Sequence, residues 1–406
     1  MLGITPSTQA LRALLNGGNN RDNWEEGHTR AAEQKLKAPE DTSQISFCGR
    51  LKHLTWAWFT LTMSTGGLAL LLSATPHRFP GLTIIGKILY ILNLVFFISL
   101  VAGITARFIM TLSALKTSLT HPTESLFFPC FWLSTATILA GSCIYGAPSS
   151  GPWLPVALHV CFWIYVALST LSAIVQFFIL FKGAHLPIQS MTPAWILPIF
   201  PAMLVGTLAA VIAPLQPPEQ RLPILVAGVS YLGLGLMVAF LIYPLYLRRL
   251  MQHGLPAPEM RPGMFIPVGQ MGYTALALIR MSQTIPENSA YFAANLGAVT
   301  VLRTMALWIG IWIWMLGFWF LATSLIAVME VVVEWRLRFS LSWWAFVFPN
   351  VGFAVATIEI GQEFGSQAVL WVSSAMTIAL VVTWFVVLVA HVRAFLAKEI
   401  MWPGQD

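Results

Sequence analysis

Charge is what this sequence is shortest of. Asp, Glu, Lys and Arg together make up 9% of 406 residues, while 57% are apolar. A soluble globular domain carries roughly 25% charged residues. A chain this long cannot clothe itself for water with so few, so lipid must cover much of its surface. Cysteine is scarce too. The four cysteines, Cys48, Cys130, Cys143 and Cys161, have no CxxC spacing, and they argue neither for zinc nor for a disulfide framework. No HExxH, GxSxG or Asn-x-Ser/Thr sequence occurs, and the eight histidines are scattered. His159 lies alone in an apolar run, where a packed histidine is commoner than a ligand. The stretch Gly81-Leu82-Thr83-Ile84-Ile85-Gly86-Lys87 imitates a phosphate-binding loop. However, Ile88 follows where Ser or Thr should hold magnesium, so the match is fortuitous. No cluster of carboxylates, histidines or thiols shares one depth, which argues against a polytopic membrane enzyme. The sequence calls for no cofactor and no metal.

What is present is apolar length. A bilayer core about 30 Å thick takes roughly 20 apolar helical residues. Ten segments qualify: 54–74, 84–109, 126–146, 153–181, 193–213, 222–247, 263–283, 298–329, 343–362 and 367–396. Links such as Ala147-Pro148-Ser149-Ser150-Gly151-Pro152 are short and rich in breakers. The expected organisation is a polar, mostly disordered tail over 1–50, a transmembrane domain over 51–398 and a short C-terminal tail over 399–406. The tail opens with no apolar run close to Met1, so no cleavable signal is expected.

The net charge is +6, and its distribution reads as topology rather than as a nucleic-acid surface. Basic residues of the tail up to Lys52 fall on one side of the expected membrane. So do Arg107, Lys116, Lys182, Arg248, Arg249, Arg261, Arg336, Arg338, Arg393 and Lys398. The opposite side has Arg78, Lys87 and Arg221, with Arg280 and Arg303 near membrane ends. By the positive-inside rule both termini are cytosolic.

The ten segments differ in kind. The fifth has Pro193, Pro198 and Pro201, the seventh Gly263, Pro267, Gly269 and Gly272, and the ninth Pro349 and Gly352. The first has Ser64-Thr65-Gly66-Gly67 at its centre, while the fourth and tenth have no mid-span Pro or Gly. A proline inside a helix frees a carbonyl, which lipid cannot satisfy. The odd segments are therefore expected inside and the even ones outside, as five hairpins around a centre. Ordinary helix packing through small residues is the alternative.

Four odd segments carry a resemblance. Phe59-Thr60-Leu61-Thr62-Met63-Ser64-Thr65-Gly66-Gly67, Met191-Thr192-Pro193-Ala194-Trp195 through Pro201, Met264-Phe265-Ile266-Pro267-Val268-Gly269 and Trp343-Trp344-Ala345-Phe346-Val347-Phe348-Pro349-Asn350 occur in this order. Over residues 50–396 the chain resembles the tellurite-resistance/dicarboxylate transporter family, which includes plant slow anion channels. Within it the likeness is to fungal C4-dicarboxylate (malic acid) transporters. The resemblance implies an all-α fold of ten helices in five hairpins, a pore inside each protomer and a homotrimer in the plasma membrane. It implies that a phenylalanine before a proline in the ninth span, here Phe348, plugs the pore. It also implies transport of malate, succinate and related diacids, with a sister branch that exports sulfite.

Chemistry names further candidates. A dicarboxylate that sheds water needs positive charge and donors. Arg280 in the seventh segment suits this, because its planar fork meets a carboxylate and keeps its proton; snorkelling to the interface is the bland alternative. Gln270, Asn350, Ser64 and Thr65 add polar groups on odd segments, although Ser and Thr often bond only their own helix. Glu359 and Glu363 end the ninth segment. They are candidates for proton coupling, against a solvated helix end or a pairing with Arg280.

Overall fold

A computed structural model of the chain describes residues 47–183, 187–334 and 337–402. The expected tail over 1–50 lies, except for its last residues, outside the described ones. Ten long helices follow one another: α1 (Phe59–Ala74), α2 (Leu82–Met110), α3 (Pro129–Gly141), α4 (Trp153–Gly183), α5 (Phe200–Ile212), α6 (Pro218–His253), α7 (Ile266–Gln283), α8 (Ala298–Val333), α9 (Phe348–Glu363) and α10 (Gln367–Leu396). No strand occurs among the described residues. Nine of the ten, with the short turns that adjoin them, are long and apolar enough to cross a membrane. The exception is α7. Its 18 residues include Gln270, Arg280 and Gln283, which lower its apolarity, although at 1.5 Å per residue it still rises about 27 Å.

The odd helices form the interior. α1 packs on α3, α3 on α5, α5 on α7, α7 on α9, and α9 returns to α1, closing a ring. Each odd helix also packs on the even helix that follows it. Burial separates the two sets. Between 50% and 89% of the most apolar stretch is covered in the spans of α1, α3, α5 and α9, against 11% to 39% in the five even spans. The even helices turn large apolar side chains outward, including Ile98, Phe181, Leu241, Trp312 and Val389. That surface is suited to lipid. The chain is an all-α, multi-pass membrane protein.

Gly66-Gly67 stays in the middle of α1, while the prolines of the odd helices all sit at helix starts. Each odd helix is preceded by a 3-10 turn: Trp56–Trp58, Ser125–Phe127, Pro193–Ile199, Pro258–Phe265 and Leu341–Phe346. Pro129, Pro201, Pro267 and Pro349 then occupy the first turn of α3, α5, α7 and α9. Proline is tolerated there because that N–H has no intrahelical partner anyway. The α ladder cannot run back through it, so the chain upstream tightens. Carbonyls at these junctions find side-chain donors from neighbouring helices. Ser64 donates to Trp344 O (3.1 Å), Tyr165 to Pro201 O (3.0 Å), Ser324 to Met264 O (2.9 Å) and Tyr273 to Phe348 O (3.2 Å). Irregular backbone at membrane depth is thus satisfied inside protein, as lipid requires.

The links hold more structure than their composition suggests. A helix over Leu112–Thr120 lies between α2 and α3, and Ser118 on it accepts from Trp56 Nε1 at 3.3 Å. At the C-terminal end Ile400 and Met401 are buried.

Candidate pore and anion site

α7 sets the geometry. Ile266, Gln270, Tyr273, Ala277 and Arg280 recur at intervals of four and three, which puts them along one face. Midway up that face the Tyr273 ring stacks on Phe348, 4.9 Å between centroids and tilted by 31°. Phe200 of α5 closes on both, 6.5 Å from Phe348 and 6.4 Å from Tyr273. On the fourth side is Gly67 of α1, where an added Cβ would stand only 3.1 Å from the Phe348 ring. Four ring helices thus meet in three aromatic rings and a bare backbone. Phe348 is 2% exposed.

Below these rings is a cavity of about 290 Å³. All five odd spans line it near their starts, through residues such as Thr60, Cys130, Leu197, Ile266 and Phe348. It shares Phe127, Glu259, Ser340 and Leu341 with a wider vestibule of about 1000 Å³. Lys52, Arg107, Arg338 and Arg393 line the vestibule, with Glu124, Glu259 and Glu399 opposing them. Arg107 is paired there with Glu124 at 2.6 Å. The path from vestibule to rings therefore runs from charged to apolar.

Beyond the rings α7 and α9 meet through polar side chains. Arg280 reaches Oε1 of Glu359 on α9 through Nε at 2.7 Å and Nη2 at 2.6 Å. One turn farther out Gln283 donates to Glu363 at 2.6 Å. Of the alternatives for Glu359, pairing with Arg280 is what the structure contains. Arg303 is held away from this pair, by Ser282 O and Glu287.

The remaining expected residues fall into two groups. Ser64 and Thr65 are fully buried and engaged. Ser64 donates to Trp344 O, whereas Thr65 donates to Leu61 O and accepts from Trp384 Nε1 at 3.1 Å. Gln270 and Asn350 keep unused polarity. Both amide atoms of Gln270, which is fully buried, lack a hydrogen-bond partner among the described residues, as does Oδ1 of Asn350. Asn350 Nδ2 donates to Phe346 O at 2.9 Å. No group of three potential metal ligands occurs among the described residues.

Sequence reasoning missed Phe200 and Tyr273. Phe200 had a signal, since Phe200-Pro201 repeats the Phe348-Pro349 pair in an equivalent helix start. Tyr273 had none.

Comparison with known proteins places the chain among anion transporters and channels. A family profile described as SLAC1, voltage-dependent anion channel, matches residues 53–392. The malic acid transport protein of Schizosaccharomyces pombe is 34% identical over 372 residues, covering 91% of this chain and 84% of that protein. A putative malic acid transport protein of the same yeast is 30% identical, over 89% of this chain and 84% of its own. A sulfite efflux pump of Trichophyton rubrum is 27% identical, over 84% and 91%.

Proposed function

The chain belongs to the SLAC1, voltage-dependent anion channel, family, and we propose that it carries C4-dicarboxylates such as malate and succinate across the plasma membrane. The observation that carries the substrate is the 34% identity to a malic acid transport protein over most of both chains. The sulfite efflux pump is more distant, at 27%. Sulfite or another inorganic anion is the second reading.

Phe348 is the gate in this proposal. Its ring, with those of Tyr273 and Phe200, fills the centre of the helix ring. An apolar constriction of this kind stops water and ions together. The backbone under the gate is held by Tyr273, whose hydroxyl grips Phe348 O, so opening needs a rotation of the side chain alone. Below the gate, Lys52, Arg338 and Arg393 in the vestibule are the groups that meet an anion. Gln270 then offers an amide with no other partner. A buried amide left unbonded costs about 1–3 kcal/mol, and a passing carboxylate relieves that cost. Above the gate the anion meets Arg280. Glu359 and Glu363 are the groups through which a proton could be coupled to this movement.

Both termini are assigned to the cytosol on the charge bias along the sequence. A homotrimer with one pore per protomer is taken from the family resemblance. The test is a flux panel on purified protein in liposomes with labelled malate, succinate, sulfite and chloride, under imposed voltage and imposed pH gradients. Malate and succinate are expected to move. Sulfite alone would establish the second reading, and strict dependence on the pH gradient would mark a symporter rather than a channel.

A further inference from the structure

The Arg280–Glu359 pair, seven residues along α7 from Tyr273, is unusual in how its two members are placed. Glu359 is nearly dry, with 5% of its side chain exposed, while Arg280 keeps 25%. Nε and Nη2 of Arg280 converge on one oxygen, Oε1. This is not the parallel two-oxygen fork that makes arginine–carboxylate pairs strongest. Nη1 makes no hydrogen bond within the protein among the described residues. Arg280 is therefore held along one edge by a carboxylate from the wall, with its other edge open, on the face of α7 that carries Tyr273.

The pair is also not all that holds α7 against α9. That contact is made lower down as well, where Gly272 meets the backbone of Gly352 and Phe353 and Tyr273 reaches Phe348 O. An ion pair that shares the α7–α9 contact with this backbone joint, and keeps one arginine edge open, has another reading in chemical terms. A glutamate side chain presents to Arg280 the same group that a dicarboxylate presents.

We infer that Glu359 occupies the carboxylate subsite of Arg280 in the resting protein, so that substrate binds there only by displacing it. This rests on the reading of the chain as a dicarboxylate transporter. Glu359 then sets apparent affinity rather than supplying it. A site that is competent for only a fraction of the time has its dissociation constant raised by the inverse of that fraction. Removing the competitor makes Arg280 available throughout. It also predicts a preference for ligands able to displace a carboxylate, meaning anions with a planar carboxylate of their own.

The experiment is labelled-malate uptake into liposomes over a concentration series, using wild-type protein and the Glu359→Gln, Arg280→Gln and double variants. Each is checked first for monodispersity and thermal stability. Glu359→Gln should lower the half-saturating malate concentration by about tenfold, and Arg280→Gln should raise it. The double variant should match Arg280→Gln, because the competitor acts only through the arginine. Should Glu359→Gln not fold, Glu359→Asp, whose shorter side chain loosens the contact, is expected to shift half-saturation in the same direction. A higher half-saturation in Glu359→Gln, an unchanged one, or a double variant that keeps the gain would each overturn the competitor role. A wild-type protein that moves no malate would instead overturn the substrate reading beneath it.

Discussion

α7 and α9 touch along their length, but their two ends are joined in different ways. At the Phe348 end the joint is bare backbone and rings. An added Cβ on Gly272 would collide with Phe353 N and stand 2.6 Å from the carbonyl carbon of Gly352. At the outer end the joint is polar, with Arg280 on Glu359 and Gln283 on Glu363. Close-packed backbone has one geometry and yields little. Polar side chains can trade partners without moving the helices. The difference assigns rigidity to the level of Phe348 and exchange to the level of Arg280.

Substitution can break this contrast at either end. The largest effect is expected at Gly272. Gly272→Val puts a branched side chain into the α9 backbone, which has no soft group to give way. The destabilisation should exceed the about 1–3 kcal/mol of an ordinary overpacked site, and size-exclusion chromatography in detergent should show loss of the folded species. Phe348→Ala comes next. It should leave a well-folded protein whose anion flux rises several-fold, read in a liposome flux assay; a folded but silent variant would remove Phe348 from the gate. Arg280→Ala is third. Malate uptake should fall while surface expression persists, although Glu359 is left buried without its partner, a change that costs folded proteins a few kcal/mol at most sites of this burial. The smallest effect belongs to Gln283→Ala, whose bond to the exposed Glu363 is worth about 1 kcal/mol or less. Its melting temperature and uptake kinetics should stay close to wild type.

Particular residues show why much of the fold is legible in the sequence. Apolar runs carry their own length, so the spans can be counted from the order of residues alone. Proline and glycine report local backbone trouble, which is met more easily inside protein than in lipid, so the odd-inside arrangement follows from Pro201, Pro267 and Pro349, although the outer helix α6 also carries Pro223 and Pro244 within it. The same reasoning puts the breaks within the helices, where the structure instead places them at the helix starts, because proline spares the ladder only in a first turn. Pairing between helices is another matter. Arg280 and Glu359 are 79 residues apart; opposite charge at like depth makes their pairing one of the alternatives for Glu359, but the spacing alone does not choose between Glu359 and Glu363. Tyr273 is one tyrosine in an apolar helix until Phe348 is found against it. The hydroxyls of Ser64 and Thr65 read as candidates for an anion, yet both are occupied with the break in α9 and with Trp384. Phe348 itself is legible only through family resemblance.

The shared starting point of the odd helices has an electrical consequence. One cavity is lined by the first turns of all five, so their peptide dipoles point the same way and their positive ends converge on it. Each helix N-terminus carries the equivalent of about half a positive charge. Summed over the ring, that supplies a standing positive potential in a chamber whose walls are mostly apolar. The sign of the permeant ion is then written into the direction of the chain rather than into any one side chain.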